Sequence, residues 1–312
     1  VFAFNDSITA AWHYYTTDDI IAIPASLVAS DSTVSTLCNY NHHWVHTYDT
    51  RTGALLSESI QYGQGPDEIV FGFRHGITKP NEQLYVFDLS TRCIKIFNDE
   101  TRAEKIVNLN NAFGSVWDAW MLPNNKVLVK APSASQHDDC VTRSLYVYDY
   151  TDEKILSAFD SIPTRVKSDP QVLATQAVGA VSPDGKHFAI GSTMQHILEF
   201  FSINADSLET TAIGCSDPEN VASPSQPANT YWFTAMTADD SYIYAAYSGS
   251  TTPDAVTTIG VWDWTGKPIK KICSDATILK IAIAPNGRKL YAVVVPPNDN
   301  PKLSYLDLKH YL

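Results

Sequence analysis

The string Gly63-Gln64-Gly65-Pro66-Asp67-Glu68 carries the densest local information in the chain. Two glycines and a proline make a sharp turn, and two carboxylates are delivered as the next apolar run begins. It is not a phosphate loop, because no Lys-Ser/Thr follows and no helix pattern starts there. Two uses fit: a latch whose carboxylates accept backbone N–H groups, or direct ligand contact through Asp67 and Glu68. Arg74 and His75 follow, and neighbours on a strand point to opposite faces, so one of them is expected to face a central channel. With Asp67, Glu68, Asp118 and Trp120 they would line a polar, aromatic funnel, where a carboxylate beside Arg or His can tune acid–base chemistry. A water-filled entrance without chemistry is the plainer expectation.

Other titratable clusters are weaker. His137-Asp138-Asp139-Cys140 has metal-capable atoms, but its spacing matches no recognised ligand set, which leaves a solvated loop or a cation site, with His137 a ligand-binding candidate. His42 and His46 share a strand face without nearby carboxylates, and alternate strand residues splay apart instead of converging on an ion. Neither Asp138-Asp139 nor Asp239-Asp240 fits a calcium loop. There is no G-x-S-x-G elbow and no H-E-x-x-H pair. No catalytic residue, metal site or cofactor is therefore assigned. The five cysteines are far apart and odd in number, which argues for small buried hydrophobes and against a disulfide framework.

Charge narrows the partners. With 34 acidic against 22 basic side chains, the formal net charge is −12, which disfavours nucleic acid. The longest apolar runs are strand-sized, well short of the roughly 18–20 residues that span a bilayer. The chain starts at Val1 without a methionine, so it is expected to be trimmed, with any export signal removed. Membrane attachment would then run only through a lipid anchor on that lost N-terminal side.

The elements that must hold these residues follow from a repeat. Six pairs of an apolar and a short polar residue recur: Tyr48-Asp49, Phe97-Asn98, Tyr148-Asp149, Phe201-Ser202, Trp262-Asp263 and Leu306-Asp307. Their second members step by 49, 51, 53, 61 and 44 positions. A period of about fifty in a chain rich in aromatic and β-branched residues predicts a radial β repeat. The second unit reads as four strands, over 71–78, 83–88, 92–98 and 103–109. Later units repeat its hairpin turns at Pro123-Asn124-Asn125, Pro183-Asp184-Gly185, Ala238-Asp239-Asp240 and Pro285-Asn286-Gly287. First strands such as Ala177-Val178-Gly179-Ala180 carry small residues, as convergence on an axis demands, and the strands after them are more aromatic. The expectation is an all-β six-bladed propeller of four-stranded antiparallel blades, one domain over 1–312. The last unit offers three strands, so part of 1–15 is expected to complete it and remove an open edge.

The G-Q-G-P-D-E string, followed by F-G-F and the Q-L-Y-V-F-D strand, resembles the six-bladed TolB-like propeller family and its G-x-G-P-x-E signature. Asp67 and Glu68 match the acidic end, with Gly63, Gly65 and Pro66 as the structural part. The resemblance implies an exported, envelope-associated propeller of the kind found as lipoproteins in Gram-negative gut anaerobes, and it supplies no catalytic residue. A rigid scaffold presenting loops suits recognition, so a non-enzymatic module binding a protein, peptide or glycan is expected. The alternative is a propeller enzyme, a lyase or lactonase-like hydrolase, working at the axial funnel.

Overall fold

The computed structural model describes residues 3–16, 22–78, 81–98, 101–132, 143–160, 176–193, 196–204, 206–215, 231–250 and 256–312. The chain is an all-β propeller of six four-stranded antiparallel blades. One compact unit, within Tyr15–Pro132 and Ser144–Phe159, holds blades one to three; another holds blades four to six with the N-terminal strands. In the first unit, blade one is Ser26–Ala29, Thr33–Tyr40, His43–Asp49 and Leu55–Gln61. Blade two is Gly72–Ile77, Leu84–Asp88, Cys93–Phe97 and Ala103–Asn108, and blade three is Asp118–Leu122, Lys126–Pro132, Arg143–Asp149 and Lys154–Asp160. In the second unit, blade four is Ala177–Val181, His187–Ser192, Ile197–Asn204 and Ser207–Cys215. Blade five is Tyr231–Ala238, Tyr242–Ser250, Thr258–Asp263 and Pro268–Cys273, and blade six begins with Thr277–Ile283, Lys289–Val295 and Lys302–Asp307. The one helical element among the described residues is the 3-10 turn Leu308–His310.

The repeated pair has a physical cause in both its members. Tyr48, Phe97, Tyr148, Phe201, Trp262 and Leu306 are all buried and sit at or near the end of a blade's third strand. Where the polar member is an aspartate, it then turns the chain. Asp49 Oδ1 accepts the Arg51 and Thr52 N–H groups, Asp149 Oδ1 those of Thr151 and Asp152, and Asp263 Oδ1 those of Thr265 and Lys267. An aspartate that hydrogen-bonds two residues ahead reverses the strand while satisfying orphaned donors. These aspartate pairs are thus core anchors fused to turns, whereas Phe201-Ser202 lies inside its strand, with Ser202 paired to Glu209.

The N-terminal segment completes blade six, as expected. His13 and Tyr14 pair antiparallel with Tyr305 and Ser304, and the His13 ring stacks on Tyr305 at 4.9 Å. Trp12 lies in the core of this unit and donates to Ser274 Oγ at 2.8 Å, while Tyr311 Oη accepts the Ala11 N–H. An addition that the repeat did not announce lies just upstream. Ser7–Thr9 runs parallel to Pro268–Cys273 and gives blade five a fifth strand, with Asp6 paired to Lys270. One short segment thereby covers the outer edges of two blades, where exposed ladder groups would otherwise template association.

Blade five departs from the small-residue rule for first strands, since Trp232 and Phe233 lie on it. Its neighbour accommodates the Phe233 ring. A Cβ at Gly191, on the second strand of blade four, would lie 2.6 Å from the Phe233 ring, so the absence of a side chain there makes the room.

Candidate functional site

The signature string forms a closed loop between blades one and two. Glu68 folds back so that its Oε2 accepts the Gly65 N–H at 2.7 Å, and the Glu68 N–H reaches the Gly65 carbonyl at 3.2 Å. Asp67 points outward to the next strand, its Oδ1 accepting the Ala103 N–H at 2.8 Å. Beneath the loop, the buried Lys95 donates to the Gly65 carbonyl at 3.0 Å and to the Glu68 carbonyl. Trp44 Nε1 donates to the Ile69 carbonyl at 2.8 Å, and Asp88 accepts the N–H groups of Val70 and Phe71. Pro66 is exposed at the tip. The loop's backbone is held from below, from within and from the neighbouring blade.

Gly63 is required by the Glu68 carboxylate. A Cβ at Gly63 would lie 2.0 Å from Glu68 Oε2, so alanine must push that carboxylate out of the loop. Gly63→Ala is expected to destabilise the protein by ~1–3 kcal/mol, the usual range for overpacking a fitted site. Adding it to Glu68→Ala should cost less than the two single losses together. Thermal melts of the three variants measure this, and strict additivity would show that the two positions act independently.

The braced loop leaves two aromatic side chains in solvent. Tyr62 is 51% exposed and Phe71 is 48% exposed, one at each end of it. The Tyr62 N–H is fixed on the His42 carbonyl at 2.9 Å, and the Phe71 ring stands edge-on to Trp44 at 6.2 Å. Asn41, His42 and Gln64 are exposed as well, and His42 adjoins Tyr62 through that backbone bond. His46, by contrast, is buried beside Glu58 at 3.3 Å and contributes nothing to that surface. No group of three metal-ligating side chains gathers among the described residues.

Arg74 and His75 part company as adjacent strand residues must. Arg74 turns to blade three, where Nε and Nη2 make a bidentate pair with Asp118 at 2.8 and 2.7 Å. Its guanidinium also lies 4.7 Å from the Trp120 ring centroid. Burial would pull the Arg74 guanidinium down, but the Asp118 charge and hydrogen bonds hold it above its ordinary value. The wholly buried Asp118 also accepts the Ala119 N–H at 2.9 Å. Burial raises the neighbouring Tyr85 phenol, so it stays protonated. His75 turns to blade one, with its two ring nitrogens on Ser26 Oγ and Ser35 Oγ. Burial pushes it down to about 3, Ser35 opposing and the Arg74 charge assisting, so the ring is neutral. The structure therefore brings Arg74, Asp118 and Trp120 together, places His75 apart from them, and keeps Asp67 and Glu68 in the loop. His137 lies outside the described residues.

The sequence reading did not single out Lys95, Tyr62 or Phe71. A signal for Lys95 existed: a lysine inside Cys93-Ile94-Lys95-Ile96-Phe97 sits in a strand that is buried throughout, where a charge needs fixed partners. The aromatics had no such mark, because exposure depends on how the loop closes.

The TolB-like 6-blade propeller-like family model matches residues 3–286. The chain belongs to that family. No curated protein sequence matches this TolB-like propeller. Its fold is similar to that of a Bacteroides fragilis protein provisionally described as exported, at 12% identity and a TM-score of 0.59, covering 95% of this chain and 94% of that one. It is equally similar to a calcium-binding protein, regucalcin, from Agrobacterium tumefaciens, at 10% identity and a TM-score of 0.59, covering 97% and 96%. The U3-55K structure aligns at 10% identity and a TM-score of 0.58, covering 95% and 98%. At such identities the likeness concerns the TolB-like propeller's fold alone.

Proposed function

We propose that this TolB-like propeller is an exported, envelope-associated module that binds or scaffolds a protein, peptide or glycan on the face carrying the signature loop. The observation behind this reading is the pair of half-exposed aromatics, Tyr62 and Phe71, at the ends of a loop whose backbone is already fixed. Large apolar side chains on a pre-ordered loop give contact area without the ordering cost that a mobile loop incurs on binding. Glu68 is taken up by the loop itself and Asp67 by the Ala103 N–H, so recognition falls to the aromatics and the exposed Asn41, His42 and Gln64. Envelope location is supported by the family and by the Bacteroides fragilis neighbour. On this reading the inner pair, Arg74 and Asp118, is a strut between blades two and three and not a reacting group.

Affinity capture from a Gram-negative envelope extract tests this. A Tyr62→Ser, Phe71→Ser double variant should retain bound partner roughly tenfold less than the parent, because aromatic anchors carry a large share of interface energy. Undiminished retention would contradict the assignment of this face. Turnover of a supplied lactone or ester that disappears in Asp118→Asn would instead support the enzymatic alternative.

A further inference from the structure

A second surface lies at the other end of blade two. The strand Gly72–Ile77 separates it from the signature loop by roughly 20 Å, at about 3.3 Å per residue. There, a cleft of about 440 Å³ opens between the turns of blades two and three. That volume lies within the range of about 300–1,000 Å³ typical of small-molecule sites. Four side-chain amides line it, from Asn81, Gln83, Asn124 and Asn125, and Ile96 and Met121 form an apolar floor. Tyr150 makes one wall, its hydroxyl donating to Asn125 Oδ1 at 3.1 Å and the Lys105 ammonium lying 4.2 Å from its ring centroid. Gln83 Nε2 donates to Glu104 Oε2 across the mouth.

The chemistry of this lining is specific. Amides offer donors and acceptors side by side, the pattern that neighbouring hydroxyl groups require. The apolar floor and the exposed part of Tyr150 suit a C–H face. Lys105 and Glu104 bring opposite charges to the same mouth, which removes the net attraction that an anionic or cationic ligand would need. The wall is also preformed: Asn124 and Asn125 sit at φ of 59° each, a left-handed turn that asparagine tolerates, and the Tyr150 N–H is held on the Asn125 carbonyl at 3.1 Å.

We propose that this cleft binds a neutral sugar residue. The inference does not rest on the reading of the signature-loop face, and its test separates the two. Saturation-transfer NMR on the intact protein, with maltose, cellobiose, lactose and xylobiose as probes, should show transfer to at least one of them. Asn125→Gly, which keeps the turn conformation, and Gln83→Ala should each weaken that binding about tenfold, and Tyr150→Ala should abolish it. Tyr62→Ser, at the far end of the blade, should leave it unchanged. If Tyr150→Ala fails to fold, the Asn125 and Gln83 variants decide. Transfer to none of the four sugars would overturn the proposal, as would binding that survives both amide variants. Binding of an oligoglutamate peptide that is lost in Lys105→Gln, with the sugars silent, would overturn it in favour of an anion site.

Discussion

Asp118→Ala is expected to lower stability by about 3–5 kcal/mol, the largest effect of any single substitution considered. The cost comes less from the lost attraction than from what stays behind. Asp118 is wholly buried and Arg74 is 18% exposed, so removing the carboxylate leaves a guanidinium with two unanswered donors in a poorly solvated place. Asp118→Asn isolates the charge, since its amide oxygen can still accept the Ala119 N–H. A double replacement, Arg74→Met with Asp118→Leu, should recover most of the loss, because an apolar pair of similar volume carries no desolvation penalty. Urea denaturation of the singles and the double gives the coupling energy directly. A loss below about 1 kcal/mol for Asp118→Ala would place the pair among weak, solvent-screened bridges.

The second large effect is an acid sensitivity written into two histidines. His75 is held down to about 3 by burial, and His196, stacked on Trp232 with ring centroids 4.0 Å apart, is pushed down to about 4 by burial. Both lie below the ordinary value of 6.5. The unfolded chain therefore takes up protons that the folded one refuses, and stability falls as pH drops through 6.5 toward 4 and 3. Each histidine contributes a slope of up to about 1.4 kcal/mol per pH unit within its window. Aspartates with lowered values, such as Asp49 at about 2, add to the loss only nearer pH 4 and below. His75→Gln should remove about half of the slope between pH 6 and 4.5, and His75→Gln with His196→Gln should flatten it. Thermal midpoints across that range check the prediction, and an unchanged slope in the double variant would refute it.

Most of the fold was legible because its determinants are local and repeated. Tyr48-Asp49 and its five counterparts each place a buried anchor on a third strand, four of them joined to an aspartate turn, so spacing alone located six third strands. The incomplete sixth unit pointed to the N-terminal segment for the same reason: three strands and a short tail leave an edge open. What escaped notice is non-local. Ser7–Thr9 pairs parallel with a strand more than 260 residues away, and nothing in its sequence names that partner. The tolerance of blade five for Phe233 depends on Gly191 in another blade.

The site divides along the same line. That Glu68 serves its own loop was one of two readings of G-Q-G-P-D-E, and the short i to i+3 hydrogen bond to Gly65 shows why a local motif can contain its own partner. Arg74 and His75 were expected on opposite faces from strand alternation. Which of them meets Asp118 depended on the order of neighbouring blades, and the sequence does not state it. Tyr62 and Phe71 are exposed because the loop closes beneath them through Lys95 and Trp44, two residues from different blades. The cleft beside Tyr150 gathers side chains from six separate strands or turns and had no linear signature.

The central claim is that recognition occurs at the aromatic rim of the signature loop. Site-specific photo-crosslinking tests it most directly, with a photoreactive residue at position 62 and, as a control, at the equally exposed Ile106 on the outer strand of blade two. In native envelopes, light should join position 62 to one discrete partner while position 106 yields none. Equal yields from the two positions, or adducts from position 106 alone, would contradict the account.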